Sequence, residues 1–484
     1  MSGPAREAAG DEGRSGASLD RCADEPAGLS RALAHRHISM ISIGGIIGAG
    51  LFVGSSVAIA SAGPASVLSY LGSGLIIVLL MQMLGEMAVE LPHVRSFSEF
   101  TRASLGDGAG FVTGWLYWYF WVVVIPVEAI AGAVLLHAWL AVPTWALGLA
   151  LMAAMTGVNL MSARSYGEFE FWFASIKVAA IIVFIALAAA FVLGFSPPGR
   201  VSADLAGHGG FAPHGMLAVL GGLATVFFAM TGAEITTVAA AESAEPARAI
   251  ATMTRSVMLR ILVFYVVSIF LIVAAVPWTD VRPGFSPFTL ALSAAGHPWI
   301  ARSMSVVILT AVLSCLNSAF YVCSRVLFVL AGNGDAPQWL VKVNDRHVPA
   351  RSVAVGAVAG ALGILANSLA PKAVFAFLVN AAGALIVFVY ILTALAQIRL
   401  RSRLRREGRP QPSIRMWGFP WLSYATVAGL LAVLIAMALT PGMASQLYVS
   451  LVTLALAVAA YLGLRRRRSA SQAAAPSPEA SGAP

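Results

Sequence analysis

Long apolar runs alternate with short polar stretches along almost the whole chain of 484 residues. A run of about 20 apolar residues can cross a bilayer as a helix. Twelve such runs can be placed, centred near residues 49, 78, 125, 154, 182, 228, 267, 317, 361, 386, 429 and 455. The pattern predicts an all-α polytopic membrane protein with twelve transmembrane helices. Because this number is even, both termini are expected on the same side of the membrane.

Polar segments at the two ends frame these spans. Residues 1–33 and 469–484 are polar and poor in aromatic residues, and such composition predicts disordered tails. Between them we place spans one to five in residues 34–200, spans six to ten in 201–400 and the last two spans in 401–468. No charged segment leads into a short apolar run with a cleavage site, so we expect no cleaved signal peptide.

Composition and charge agree with this layout and orient it. The chain is 59% hydrophobic and 11% charged, with a mean hydropathy of +0.83. Of its 31 Lys and Arg residues, about 25 fall in the tails and the even-numbered loops. Basic loops face the cytoplasm, so both termini are expected to be cytoplasmic in a multi-pass inner-membrane protein. The net charge of +9 then faces the anionic lipid leaflet and does not indicate nucleic acid as a partner.

The chain lacks the sequence motifs of several enzyme classes. The chain has no Walker A, HExxH or GxSxG pattern, so it predicts neither an enzyme nor a metal or cofactor site, and any pumping must use an ion gradient. Three cysteines are too few for a disulfide scaffold, and Cys315 and Cys323 are about two helical turns apart. We assign both to packing.

Five glycines stand out in the first apolar run, Ile41 to Ser56, at positions 44, 45, 48, 50 and 54. Glycine weakens a helix interior by roughly 0.5–1 kcal/mol relative to alanine, so a cluster of it favours a break in the span. Bare amides and carbonyls are tolerated at membrane depth only where they face protein or a wet cavity. The alternative is a small-residue face for tight helix packing. This stretch alone leaves both open.

A second candidate break lies in span six, at Thr231, Gly232 and Glu234. If spans one to five and six to ten are two copies of one unit, span six is the counterpart of span one. Five spans per copy force opposite orientations. This arrangement is the inverted repeat of secondary transporters, whose broken helices meet at mid-membrane.

Of the ionisable residues inside spans, Glu128 and Lys177 each have two interpretations. Glu128 follows Pro126 near the middle of span three, where a carboxylate is costly unless it faces a cavity or a cation. It is either functional or half of a buried structural pair. Lys177 lies about two turns into span five. A desolvated lysine can carry a proton, whereas the alternative is a side chain that snorkels to the cytoplasmic interface.

Other polar and aromatic residues have simpler interpretations. Glu86 and Glu90 close span two and are expected to form interfacial pairs with Arg95 or Arg102. An aromatic cluster, 115–121, opens span three and is typical of an interfacial belt.

Several motifs together resemble one family. They are ISIGGIIGAGLFVGSSVAIASAGPA, GEMAVELP followed by SFSEF, GWLYW, NLMSARSYGEFEFWFASIKV, GAEITTVAAAES and SCLNSAFYVCSR. They resemble the amino acid transporter group of the amino acid–polyamine–organocation (APC) superfamily, over spans one to ten. Within that group the chain looks most like the bacterial 4-aminobutyrate (GABA) permeases. Arg95 and Phe100 depart from the usual Gly and Tyr.

The resemblance implies proton-coupled amino acid uptake by a five-plus-five, LeuT-like fold with helices one and six broken. In this reading the amides at Ala49 and Gly50, exposed by the break at Gly48, hold the substrate carboxylate. The carbonyls of Ile46 and Phe228 face its ammonium group.

The resemblance also suggests roles for the ionisable residues and for the second break. Lys177 matches a lysine that takes the place of a sodium ion in proton-coupled members. Gly232 belongs to the second break, and Glu128 and Glu234 are acidic positions typical of the group. One of these carboxylates is expected to help hold the distant ammonium of a γ-amino acid, and Glu128 is a second candidate for proton coupling.

Competing functions remain open. Within the class, the substrate could be proline or an aromatic or cationic amino acid, and the protein could exchange one amino acid for another. A transporter-like sensor would normally carry an added signalling domain, for which the short tails leave no room. Spans eleven and twelve hold no ionisable residue and look peripheral or dimerising, so a homo-oligomer is possible.

Overall fold

The computed structural model describes residues 47–91, 94, 96–161, 163–195, 200–232, 258–259, 261–296, 298–346, 348–409 and 413–473. Over these residues the chain is helical or irregular and contains no strand. Ile46, Glu234 and Arg95, to which the sequence assigns roles, lie outside the described residues, as does the expected tail 1–33. The all-α prediction is confirmed for the described part of the chain.

We number the α-helices in chain order. They are α1 Ala49–Phe52, α2 Ser55–Ala62, α3 Ser66–Glu90, α4 Phe97–Leu105, α5 Asp107–His137, α6 Thr144–Met161, α7 Ala163–Ala190, α8 Arg200–Ala206, α9 Gly215–Met230, α10 Ser268–Ala275, α11 Pro287–Ala294, α12 Pro298–Gly332, α13 Ala350–Leu369, α14 Pro371–Arg406, α15 Trp421–Leu439 and α16 Ala444–Ala473.

The helices lie where the spans are predicted, but not every one of them is long enough to cross a membrane alone. Nine segments of the described chain are long and apolar enough to cross a membrane, and one of them, Ala49–Glu90, contains the first two predicted spans. Two shorter apolar helices, Gly215–Met230 and Val263–Ala275, stand where spans six and seven are predicted. The protein is a multi-pass membrane protein, and the number twelve stays a prediction. Helix α16 also runs to Ala473, into the segment expected to be a tail.

The first predicted break is visible at Gly48. This residue is extended, with φ −137° and ψ −155°, and α1 begins only at Ala49. Helix α1 ends after Phe52, and a turn at 53–54 leads into α2. The helix does not continue through the centre of the glycine-rich run.

Helix α9 ends where the second break is predicted. Its C-cap, Thr231, is extended with ψ 140°, and Gly232 has φ +111°, a conformation that favours glycine. The last carbonyls of a helix lack intrahelical partners. Here the Thr231 hydroxyl donates to the Phe227 carbonyl at 2.7 Å, and the Tyr265 hydroxyl donates to the Ala229 carbonyl at 3.1 Å. Bonds from these side chains hold the truncated end of α9 in place.

The two broken segments pack directly on each other. A Cβ placed on Gly50 would lie 2.6 Å from the Cα of Ala229, so only glycine lets α1 approach the backbone of α9 this closely. Gly383 makes a similar approach from α14, where a Cβ would overlap the carbonyl oxygen of Ala224. Small residues therefore set the distance between α1, α9 and α14.

An ionic cluster, buried at Glu86 and Arg401 and exposed at Arg409, joins the end of α3 to α14 and the residues that follow it. Arg401 donates to Glu86 at 2.6 Å, and the Met416 N–H donates to the same oxygen at 2.6 Å. Glu90 pairs with Arg409 at 3.3 Å. Ion pairs are thus present as predicted, but their described partners are Arg401 and Arg409. Of the predicted partners, Arg95 and Arg102, the first lies outside the described residues.

Arg102, one of those predicted partners, binds elsewhere. Its guanidinium pairs with Asp107 at 3.3 Å and, more closely, with the buried Asp335. It therefore ties the short helix α4 to the loop that follows α12.

Candidate functional site

A small buried cavity lies between the break in the first span and the end of α9. Its volume is about 20 Å³, which is room for about one water molecule. Helices α1, α5, α9 and α12 and the residues next to them form its wall, which consists of Gly48, Gly50, Phe120, Trp121, Val124, Glu128, Phe228, Ala229, Thr231 and Cys315. The two breaks predicted from sequence therefore meet at one site.

The backbone amide of Ala49 is hydrogen-bonded to a carboxylate of the protein itself. It donates to the two oxygens of Glu128 at 3.2 and 3.1 Å. Glu128 is 1% exposed. Pro126, two residues before Glu128, packs closely against Gly363 of α13. A Cβ on Gly363 would lie only 2.6 Å from the Cβ of Pro126. The amide expected to receive the substrate carboxylate thus binds Glu128 in this structure.

The two glycines at the first break have different roles. A Cβ on Gly48 would lie 2.6 Å from Sγ of Cys315 and 3.0 Å from Oε1 of Glu128, so Gly48 leaves room at the cavity. Gly50 also lines the cavity, but the position where a side chain would begin faces the backbone of Ala229. The packing interpretation of the glycine-rich run therefore describes Gly50, while Gly48 borders the cavity and its role in binding stays a prediction.

Aromatic side chains form one wall of the cavity. Phe120 of α5 lies 6.2 Å from Phe228 of α9, between ring centroids, and 5.4 Å from Trp121. Trp121 is 3% exposed, so assigning it to an interfacial belt was wrong. Its position relative to Val124 and Glu128, three and seven residues on, places all three on one face of α5. That spacing was the signal in the sequence that could have identified Trp121.

Cys315 is another cavity residue that the sequence did not predict. It is buried as a free thiol and lines the cavity opposite Gly48. Its side chain hydrogen-bonds to the carboxylate of Glu128. Cys315 belongs to the buried apolar core, as its assignment to packing predicts, and in addition it contacts Glu128. Cys323 is also a buried free thiol, and it does not line this cavity.

The end of α9 contributes two of its expected residues in different ways. Phe228 lies in the last turn of α9 and lines the cavity. Gly232 provides the positive φ just beyond α9, while its neighbour Thr231 reaches the cavity wall. Gly232 therefore shapes the second break, and Thr231 is an additional candidate for contact with a substrate.

Lys177 is fully buried, with 0% of its surface exposed. Its charge acts on Glu128. A buried side chain does not reach an interface, so the snorkelling alternative was wrong. Helix α7, which carries Lys177, packs on α12.

Helix α12 itself carries a buried polar stripe. Ser314, Asn317, Ser318 and Ser324 are each at most 4% exposed. Asn159 of α6 donates from Nδ2 to Oδ1 of Asn317 at 2.8 Å. A buried polar layer thus lies inside an otherwise apolar bundle.

Comparison with known proteins agrees with this architecture. The sequence profile of the amino acid permease family matches residues 37–470. A protein named "Probable GABA permease" from Pseudomonas aeruginosa is 48% identical over 86% of this chain and 88% of its own length. The "Gamma-aminobutyric acid permease" of Bacillus subtilis is 41% identical over 93% of this chain and 96% of its own length.

A solved structure shows the same fold at low sequence identity. The manganese transporter of Eremococcus coleocola aligns with a TM-score of 0.55 over 90% of this chain and 95% of its own, at 13% identity. The predicted LeuT-like, APC-type fold class is confirmed. With the profile spanning nearly all of the helical core, the chain belongs to the amino acid permease family.

Proposed function

We propose that this protein imports 4-aminobutyrate (GABA), or a closely related amino acid, across the inner membrane together with protons. One observation carries the proposal. At the first break the backbone amide of Ala49 already binds a carboxylate, that of Glu128, in a buried cavity with an aromatic wall. An amino acid presents the same group. The names of the relatives support GABA as the first substrate to test, since substrates differ within one fold by a few pocket residues.

The carboxylate end of the substrate is assigned to the first break. Ala49 and Gly50 would donate their N–H groups to it, and Gly48 leaves the space through which it arrives. A carboxylate that accepts amide hydrogen bonds inside a low-dielectric site is bound more strongly than it would be in water.

The ammonium end is assigned to the second break and the facing carboxylates. The carbonyls of Ile46 and Phe228 would accept hydrogen bonds from it, and Gly232 keeps the end of α9 open. Glu128 and Glu234 are the candidate counter-charges.

Lys177 is the proposed proton carrier, and Glu128 is the second candidate. A lysine enclosed by protein is costly to keep charged and can bind and release a proton as the site opens to either side. In its charged form it would act as a fixed cation that holds the broken helices together around the substrate.

The charge pattern supports an orientation in the membrane, and exposed apolar side chains bear on assembly. Both termini are proposed to be cytoplasmic, with residues 34–200 and 201–400 as the two inverted repeats and 401–468 as a peripheral pair of spans. Large apolar side chains are exposed along α15 and α16, for example Ile435 and Leu456. They would contact lipid or a second copy of the chain.

Transport by purified protein in liposomes tests the proposal. Labelled GABA should accumulate when an inward pH gradient is imposed and should be displaced by excess GABA. A panel of unlabelled proline, aromatic and cationic amino acids ranks the alternative substrates. Accumulation that needs an internal amino acid and ignores the pH gradient would identify an exchanger instead.

Two substitutions at Lys177 test the proton site. Lys177→Ala should abolish gradient-driven accumulation, and Lys177→Arg should do nearly as much harm because a guanidinium stays charged throughout the cycle. Lys342→Arg, at an exposed loop position, is the matched control and should transport like the parent. If the Lys177→Arg protein responds to a pH step at the parental rate, Lys177 has no part in coupling.

A further inference from the structure

The carboxylate subsite of the cavity is filled by the protein's own side chain. Both oxygens of Glu128 share the single N–H of Ala49, at 3.2 and 3.1 Å. The geometry proves that this amide accommodates a carboxylate. It also means that a substrate carboxylate cannot reach the amide while Glu128 is bound to it.

The cavity leaves no space for both groups at once. Its volume of about 20 Å³ is room for about one water molecule, and Glu128 forms part of its wall. An amino acid whose carboxylate is to bind the Ala49 amide must therefore displace Glu128. Two residues before Glu128, Pro126 is packed against Gly363, which restrains the backbone of α5 and favours movement of the side chain.

Glu128 is held loosely enough to move. Among the described residues, no Lys or Arg nitrogen lies within salt-bridge distance of its carboxylate, whose direct partners are the Ala49 amide and the Cys315 thiol. A thiol is a weak donor. The charge of Lys177 acts on Glu128 from farther away.

Once displaced, the Glu128 carboxylate is still inside the protein and needs a cation. A buried charge without a partner is strongly unfavourable. The ammonium group of an amino acid supplies that partner from the same molecule whose carboxylate took the amide. A ligand with only a carboxylate would leave Glu128 with no cation closer than Lys177, whose charge acts on it from farther away.

We propose that Glu128 alternates between two partners: the Ala49 amide when the carrier is empty, and the substrate ammonium when the substrate carboxylate has taken that amide. The proposal rests on the assignment of this cavity as the amino acid site. It makes Glu128 a specificity-determining residue that admits zwitterions and rejects simple carboxylic acids.

Binding of GABA and of butyrate, which has the same chain without the ammonium group, tests this proposal in purified protein. We expect the parent to bind GABA at least about 100-fold more tightly than butyrate. In Glu128→Ala the competitor for the Ala49 amide is gone. Butyrate should then bind about tenfold more tightly than it does to the parent, while GABA loses about tenfold, so that the preference largely disappears.

A second variant separates charge from shape. In Glu128→Gln the side-chain carbonyl can still accept from Ala49, so butyrate should gain less than it does in Glu128→Ala, while GABA loses a similar amount. This variant decides the question with the same pair of ligands if Glu128→Ala does not fold. Glu90→Gln, at the far end of α3, is the control and should leave both affinities unchanged.

The outcomes separate this proposal from the proposed function. If butyrate binding stays the same or weakens in both Glu128 variants, the replacement of one carboxylate by another is wrong, whatever GABA does. If the parent does not bind GABA but binds another amino acid, the proposed substrate is wrong. The same comparison is then made with that amino acid and its deaminated analogue.

Discussion

Glu86 and Glu128 are both buried glutamates, 2% and 1% exposed, yet their surroundings differ. Glu86 receives two hydrogen bonds of 2.6 Å on one oxygen, one from Arg401 and one from the Met416 amide. Glu128 shares one amide at 3.1–3.2 Å and accepts from a thiol. The first carboxylate is neutralised by a guanidinium, and the second is not.

The difference indicates which buried charge can move. Short, charge-assisted hydrogen bonds to an arginine are the stronger kind, and they fix α3 to α14. A carboxylate held by one neutral amide can give up that bond when another carboxylate and a cation arrive together. Burial alone therefore does not separate a structural glutamate from a functional one, and the donors around each carboxylate do.

The largest effect is expected from breaking the fixed pair. Glu86→Ala leaves Arg401 buried without its counter-charge, which costs about 3–5 kcal/mol of the free energy of unfolding. Thermal unfolding of the protein in nanodiscs measures the loss. Glu407→Ala removes the carboxylate from an exposed pair with Arg403 and should leave the unfolding midpoint within error of the parent. Equal midpoints for the two variants would show that the Glu86 cluster does not hold the fold.

An intermediate effect is expected from filling the space next to Glu128. In Gly48→Ala the new methyl group would lie 2.6 Å from the sulfur of Cys315. Overpacking of this kind costs roughly 1–3 kcal/mol, so GABA affinity should fall by about tenfold or more. Gly157→Ala on α6, where a Cβ meets nothing within 4 Å, is the control. Parental affinity in Gly48→Ala would mean that the break serves packing only.

The smallest effect is expected at the aromatic wall. Trp121→Phe shortens a side chain that lines the cavity, so longer ω-amino acids such as 5-aminovalerate should gain a few-fold in uptake relative to GABA. Trp172→Phe makes the same chemical change at a position that is 65% exposed and should leave the ratio unchanged. If the two variants give the same ratio, Trp121 does not set the length of the substrate.

The sequence predicted the parts of this molecule that depend on local composition. The length of the apolar runs predicted the helices, because a helix must be about 20 apolar residues long to cross the lipid core. Clusters of glycine and threonine predicted the positions of the two breaks. Partners that are distant in the chain could not be predicted: Arg401 lies 315 residues from Glu86, and no local pattern links them. Trp121 was misread because an aromatic cluster at the end of a span is usually interfacial, and only its spacing from Glu128 indicated the cavity.

The position of Glu128 with substrate bound tests the central claim most directly. It can be measured in a structure of the full-length protein in nanodiscs with saturating GABA. We predict that the substrate carboxylate lies within about 3 Å of the Ala49 nitrogen and that both Glu128 oxygens have moved beyond hydrogen-bond distance of that nitrogen, more than about 3.5 Å away. A bound GABA molecule with Glu128 still on the Ala49 amide would contradict the account.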